Sequence, residues 1–143
     1  MQEELIKFST AKLAKEKGFN IPTIQYYTPE GYSTEGVDYM TERYAKSNWN
    51  NGFGSYPTRP EEVECSAPTQ YLLQKWLREK HQISIKIDDF YTDSKLRYDF
   101  NFCELGSQND NPQGIFITYE KALEAGLKKA LKKINKNDKI KLE

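Results

Sequence analysis

Apolar residues recur every three or four positions near the end of the chain. Tyr119, Ala122, Leu123, Gly126, Leu127, Ala130, Leu131 and Ile134 share one side of a helical period, with Thr118 placed to cap the N-terminus. Gly126 lies on that apolar stripe. An interior glycine costs about 1 kcal/mol relative to alanine, so close approach of the helix backbone to a sheet is its expected reason. A second stripe, Leu72, Leu73, Trp76 and Leu77, faces away from Gln74, Lys75, Arg78 and Glu79. It predicts a helix from Ser66 to about His81, with Ser66 as N-cap and Pro68 in the first turn. A shorter helix is expected from Ser9 or Thr10 to Lys17, closed by Gly18.

Between the last two stripes the period falls to two. Ile83, Ile85 and Ile87 alternate with polar residues, as do Tyr98, Phe100 and Phe102, which predicts two antiparallel, half-buried strands joined by a turn across Tyr91 to Lys95. A third strand is expected at Gly114 to Ile117, after a loop from Gly106 to Pro112, and an earlier one at Ile24 to Thr28, ending at the turn Pro29-Glu30-Gly31.

From Tyr32 to Pro60 neither period holds. This stretch reads as a long aromatic-rich loop with one short helix near Val37 to Lys46. The element order predicts an α+β fold in two layers, a small antiparallel sheet with helices packed on one face. A chain of 143 residues fits a single domain over 1–143.

Composition excludes several classes. Nineteen aromatic residues and equal numbers of acidic and basic side chains argue against a disordered chain. No run approaches the ~20 apolar residues of a membrane span, and the acidic start Glu3-Glu4 is unlike a secretory signal, so a cytoplasmic protein is expected. Cys65 and Cys103 with the sole histidine, His81, are too few to complete a four-ligand zinc site. No phosphate-cradling glycine motif occurs. No cofactor and no metal are expected, and none of the catalytic constellations is present.

Two surfaces remain as candidates. Tyr44, Trp49, Phe53 and Tyr56 stand among Asn48, Asn50, Asn51 and glycines, and that mixture suits adaptable protein recognition or the completion of an aliphatic-poor core. The C-terminal segment from Lys128 carries seven lysines against Asp138 and Glu143, while Pro29 to Glu64 carries seven acids against three bases. Lys129, Lys132, Lys133 and Lys136 could therefore meet nucleic-acid phosphates, although a solvated helix face is the default for such a run. The carboxylates Asp88, Asp89 and Asp93, and Glu61, Glu62 and Glu64, read as turn and helix-start residues, and His81 as a helix C-terminal residue that complements the dipole.

Three segments, Thr10 to Phe19, Cys65 to Glu79 and Tyr119 to Leu127, carry a resemblance. Through them the chain resembles small phage, prophage and mobile-element proteins of gut anaerobes, with Ser66-Ala67-Pro68-Thr69-Gln70 and the following Leu-x-Lys-Trp-Leu-Arg-Glu as the most specific part. The resemblance implies an origin and carries over no site residue. The expected function is that of a non-enzymatic accessory protein that binds a protein partner, with weak nucleic-acid binding through the lysine-rich helix as the alternative.

Overall fold

Helix α1 (Phe8–Glu16) starts earlier than its hydroxyl residues predict. The Lys7 carbonyl accepts from the Ala11 amide at 2.8 Å, and no side chain caps the helix, so Ser9 and Thr10 lie inside it. Its other end follows the sequence. Gly18 takes φ +96°, the Gly18 amide donates to the Lys15 carbonyl, and the Phe19 amide donates to the Ala14 carbonyl. This double closure satisfies carbonyls left open by the helix end and drives Phe19 into the interior, where it is fully buried.

The structure, a computed structural model, describes residues 3–38, 43–44, 46–51, 60–104, 107–109 and 114–134. The chain divides into two compact units. One is Leu5–Thr69, and the other is Gln70–Glu143 together with Met1–Glu4.

In the Leu5–Thr69 unit, β1 (Gln25–Tyr27) is the centre of a three-stranded antiparallel sheet, flanked by β2 (Ser33–Glu35) and β5 (Cys65–Ser66). The expected strand at 24–28 and its turn are present, with Tyr26 opposite Thr34 on one side and Ser66 on the other. The expected helix near Val37 to Lys46 is not what forms. Its described residues pair as antiparallel strands, β3 (Val37–Asp38) with β4 (Arg43–Tyr44), and a 3-10 turn follows at Trp49–Asn51. Tyr26, Trp49 and Val63 make up a buried cluster there.

Ser66 does not cap a helix. Its backbone lies in β5, and its amide donates to Asn50 Oδ1 at 2.8 Å, while the Pro68 carbonyl accepts from the Ile6 amide. With these backbone groups paired in extended geometry, the next helix, α2 (Gln70–His81), begins only after Pro68.

The second unit keeps the predicted hairpin, but its turn is narrower than Tyr91 to Lys95, because Tyr91 and Thr92 pair with Leu96 and Lys95. Strands β6 (Ile83–Thr92) and β7 (Lys95–Glu104) form a ten-residue antiparallel hairpin that aligns Ile85 with Phe102 and Ile87 with Phe100. Asp93 and Ser94 both have positive φ, which is the tight-turn geometry whose twist matches the strands. The sheet's third strand is β8 (Ser107–Asn109), where a loop is expected. Because β7 extends past Phe102 and pairs Glu104 with Ser107, the chain returns at once along that edge. The expected strand at 114–117 shrinks to a single bridge in which Phe116 and Tyr98 exchange amide hydrogen bonds of 2.8 and 2.9 Å.

Helix α3 (Tyr119–Lys133) runs as the stripe predicts, with Thr118 Oγ1 accepting from the Lys121 amide. A Cβ added at Gly126 would stand 3.0 Å from Ile85 Cγ2 and 3.3 Å from the Phe100 ring, so the glycine does mark a close approach of helix to sheet. Leu73, Trp76 and Leu77 of α2 and Leu123, Leu127 and Leu131 of α3 are buried, as are Ile83, Ile85, Phe100 and Phe102 of the sheet. Helices on a small antiparallel sheet make the fold α+β. No helix among the described residues is long and apolar enough to cross a membrane.

Candidate functional site

The starts of α2 and α3 border a groove of about 460 Å³ in the second unit. Gln70 begins α2 and is anchored on both sides of its backbone and side chain. Its amide donates to the Glu4 carbonyl at 2.8 Å, and its Nε2 donates to the Glu120 carbonyl at 2.9 Å and to Glu124 Oε1 at 3.2 Å. The groove therefore has a fixed floor, formed by a glutamine that is only 5% exposed, with Leu123 beside it. Two tyrosines wall it. Tyr71 is 55% exposed and Tyr119 is 45% exposed, and Tyr119 is held edge-on against Tyr98 with ring centroids 6.2 Å apart. The charged residues lining the groove are Glu3, Glu4 and Glu120. Close to it in sequence, Ile115 and Ile117 are 67% and 62% exposed. Large exposed apolar and aromatic side chains concentrated on one stretch are the usual mark of a contact surface.

None of this groove is legible from local spacing. Tyr71 sits off the apolar stripe of α2, and that misplaced aromatic is the single local signal that could have found it.

The aromatic candidates of the first unit have different fates. Trp49 is 1% exposed, its Nε1 donates to the Thr23 carbonyl at 2.7 Å, and its ring lies 4.5 Å from that of Tyr26. It belongs to the interior and offers no surface for a partner. The neighbouring Asn50 also works inward, donating from Nδ2 to the Phe19 carbonyl and accepting the Ser66 amide. Of the two readings that the Trp/Asn chemistry left open, core completion describes these residues. Tyr44 lies in β4, opposite Val37. Phe53 and Tyr56 lie outside the described residues.

Among the lysines, Lys129 and Lys132 are exposed on α3. Lys133 places its Nζ 4.6 Å from the centre of the Phe102 ring, where a cation is attracted to the aromatic face. Lys136 lies outside the described residues.

The remaining titratable groups are dispersed. Asp88 accepts from Asn101 Nδ2 at 2.9 Å, and Asp99, buried, accepts the Gly114 amide at 3.0 Å. His81 ends α2 with its ring edge-on to Trp76 at 4.7 Å. No group of three His, Cys, Asp or Glu among the described residues could hold a metal ion.

The two thiols differ sharply. Cys103 is exposed, whereas Cys65 is fully buried and burial, with Glu64 adding to it, pushes its thiol from 9.0 up to about 12. A disulfide reagent at pH 8 is expected to modify one thiol per folded chain, and both in denaturant. Because the folded thiol holds its proton more tightly than the unfolded one, its contribution to stability is present below pH 9 and is lost as pH rises toward 12. Cys65→Ala should flatten the alkaline fall in stability relative to the parent chain, measured by denaturant titration at stepped pH. An equal fall in both would count against the buried thiol.

The geometry stands by itself, for no family model, no curated protein and no solved structure matches this chain.

Proposed function

We propose that the chain is a non-enzymatic accessory protein, of the mobile-element kind its resemblance implies, that works in the cytoplasm by binding a protein partner. The observation that supports this reading is the groove walled by Tyr71 and Tyr119, whose rings stay exposed on a fixed floor. Tyrosine provides large contact area at small entropic cost, and such rings dominate the energetics of protein interfaces. The exposed Cys103 thiol supports a reducing compartment.

Affinity capture with a tagged chain tests the proposal, using quantitative mass spectrometry of the bound proteins. The double variant Tyr71→Ala, Tyr119→Ala is expected to lose at least about tenfold of the specific partner, the equivalent of truncating one interface anchor. Its circular dichroism and melting temperature should remain near those of the parent, because both side chains are exposed. Equal capture by parent and variant would sink the reading.

The nucleic-acid alternative draws on the exposed Lys129 and Lys132. It requires binding of labelled oligonucleotides that weakens steeply with salt, with a slope that falls by about one for each phosphate-contacting lysine removed.

A further inference from the structure

The protein-binding reading above leaves the partner's chemistry open, and the inference that follows rests on that reading. The geometry points to the Tyr71–Tyr119 groove as a receptor for lysine or arginine side chains on an extended basic segment of a partner protein.

Charge and hydrogen-bonding capacity both lead there. Glu3, Glu4 and Glu120 line the groove, and among the described residues no lysine, arginine or histidine joins them. The N-termini of α2 and α3 each contribute roughly half a positive charge, which offsets about one of the three carboxylates and leaves an excess of about two negative charges. An anionic ligand is thereby disfavoured. Gln70 donates its Nε2 to the Glu120 carbonyl and to Glu124 Oε1. The lining carboxylates offer acceptors, and a cationic side chain supplies donors only.

The tyrosines complete the fit. A guanidinium or ammonium over a Tyr face gains from the ring quadrupole, and the edge contact with Tyr98 holds the Tyr119 ring ready. Arginine is the better match because it is weakly hydrated and stacks on aromatic planes. A volume of about 460 Å³ accommodates a few such side chains. A divalent cation is a poor alternative, since no metal-holding set of three ligands exists among the described residues.

Fluorescence anisotropy of a labelled hexa-arginine peptide against the full chain tests the proposal. Saturable binding is expected at low salt, with none for a hexa-glutamate peptide. Glu3→Gln with Glu4→Gln and Glu120→Gln should weaken it at least about tenfold, and so should Tyr71→Ala with Tyr119→Ala, since charge and ring faces both contribute. Glu120→Gln leaves the backbone carbonyl that Gln70 uses, so the floor stays intact. The control Glu61→Gln with Glu62→Gln, two exposed acids of the other unit, should bind as the parent does. Circular dichroism of every variant separates lost binding from lost folding, and the glutamine set, which preserves side-chain size, decides the matter if the alanine pair unfolds.

No binding, binding indifferent to the groove variants, or equal loss in the control would each overturn the inference. If hexa-arginine is ignored while partner capture still depends on Tyr71 and Tyr119, the cationic chemistry fails and the docking reading stands. If capture also ignores the tyrosines, both fall. Self-association in sedimentation velocity that hexa-arginine dissolves would assign the groove to the lysine face of a second copy and overturn the separate partner.

Discussion

Replacing Trp49 by alanine is expected to destabilise the Leu5–Thr69 unit by about 3–5 kcal/mol, the range for deleting a large buried aromatic side chain. Three effects act together. The indole is 1% exposed, so its removal opens a cavity under Tyr26 and Val63. The tilted ring contact with Tyr26, centroids 4.5 Å apart, is lost. The Thr23 carbonyl, in a buried residue, loses one of its two donors and keeps the Ser47 amide at 3.0 Å. Trp49→Phe separates these terms, because it keeps much of the ring volume and removes the donor; about 1–3 kcal/mol is expected for it. Denaturant unfolding followed by far-ultraviolet circular dichroism, with amide exchange at Tyr26 and Tyr27 as the local readout, measures both. A loss below about 1 kcal/mol for the alanine variant would contradict a buried indole and would restore Trp49 as a surface contact.

Gly126→Leu is expected to be the most damaging change on α3. Its Cβ alone would meet Ile85 Cγ2 at 3.0 Å and the Phe100 ring at 3.3 Å, and both belong to central positions of the β6–β7 hairpin. Ile85 is branched at Cβ and stiff, so the remaining leucine atoms have no room unless α3 lifts off the sheet. The expected cost is about 3 kcal/mol or more, the upper end for overpacking a dense core. Gly126→Ala is the informative control: a gain of about 1 kcal/mol in helix propensity opposes the tight Cβ contact, so it should stay within about 1 kcal/mol of the parent. Trp76, buried in the same unit, reports unfolding of both variants by its fluorescence. A leucine variant as stable as the alanine one would show that α3 does not press on Ile85 and Phe100.

The contrast between these two sites explains which parts of the molecule local pattern could reveal. Gly126 sits in a fifteen-residue helix with a side-chain cap, where the period repeats often enough to identify the buried face before any contact is known. The hairpin of β6 and β7 is also plain, because alternation over Ile83–Ile87 and Tyr98–Phe102 identifies both strands, although not their full ten-residue length. In contrast, β2 to β5 are two or three residues long, and β2 is exposed throughout. Strands so short have no alternation to detect, and the pairing partner supplies their geometry. Ser66 makes the point most directly. A serine two residues before a proline is a good helix-start signal, yet the Asn50 side chain and the edge of β1 draw the same residue into a strand.

From its sequence alone, then, this protein was bound to contain an α+β arrangement with a long hairpin and a helix pressed on it at Gly126, because repeated apolar spacing specifies faces locally. Tertiary structure decided the rest: that Trp49 fills a core, that the chain makes two compact units, and that Glu3, Glu4, Tyr71, Tyr119 and Glu120 meet around one groove. Those residues come from three segments spread from Glu3 to Glu120, and no short-range period can encode an encounter that depends on where two helices begin.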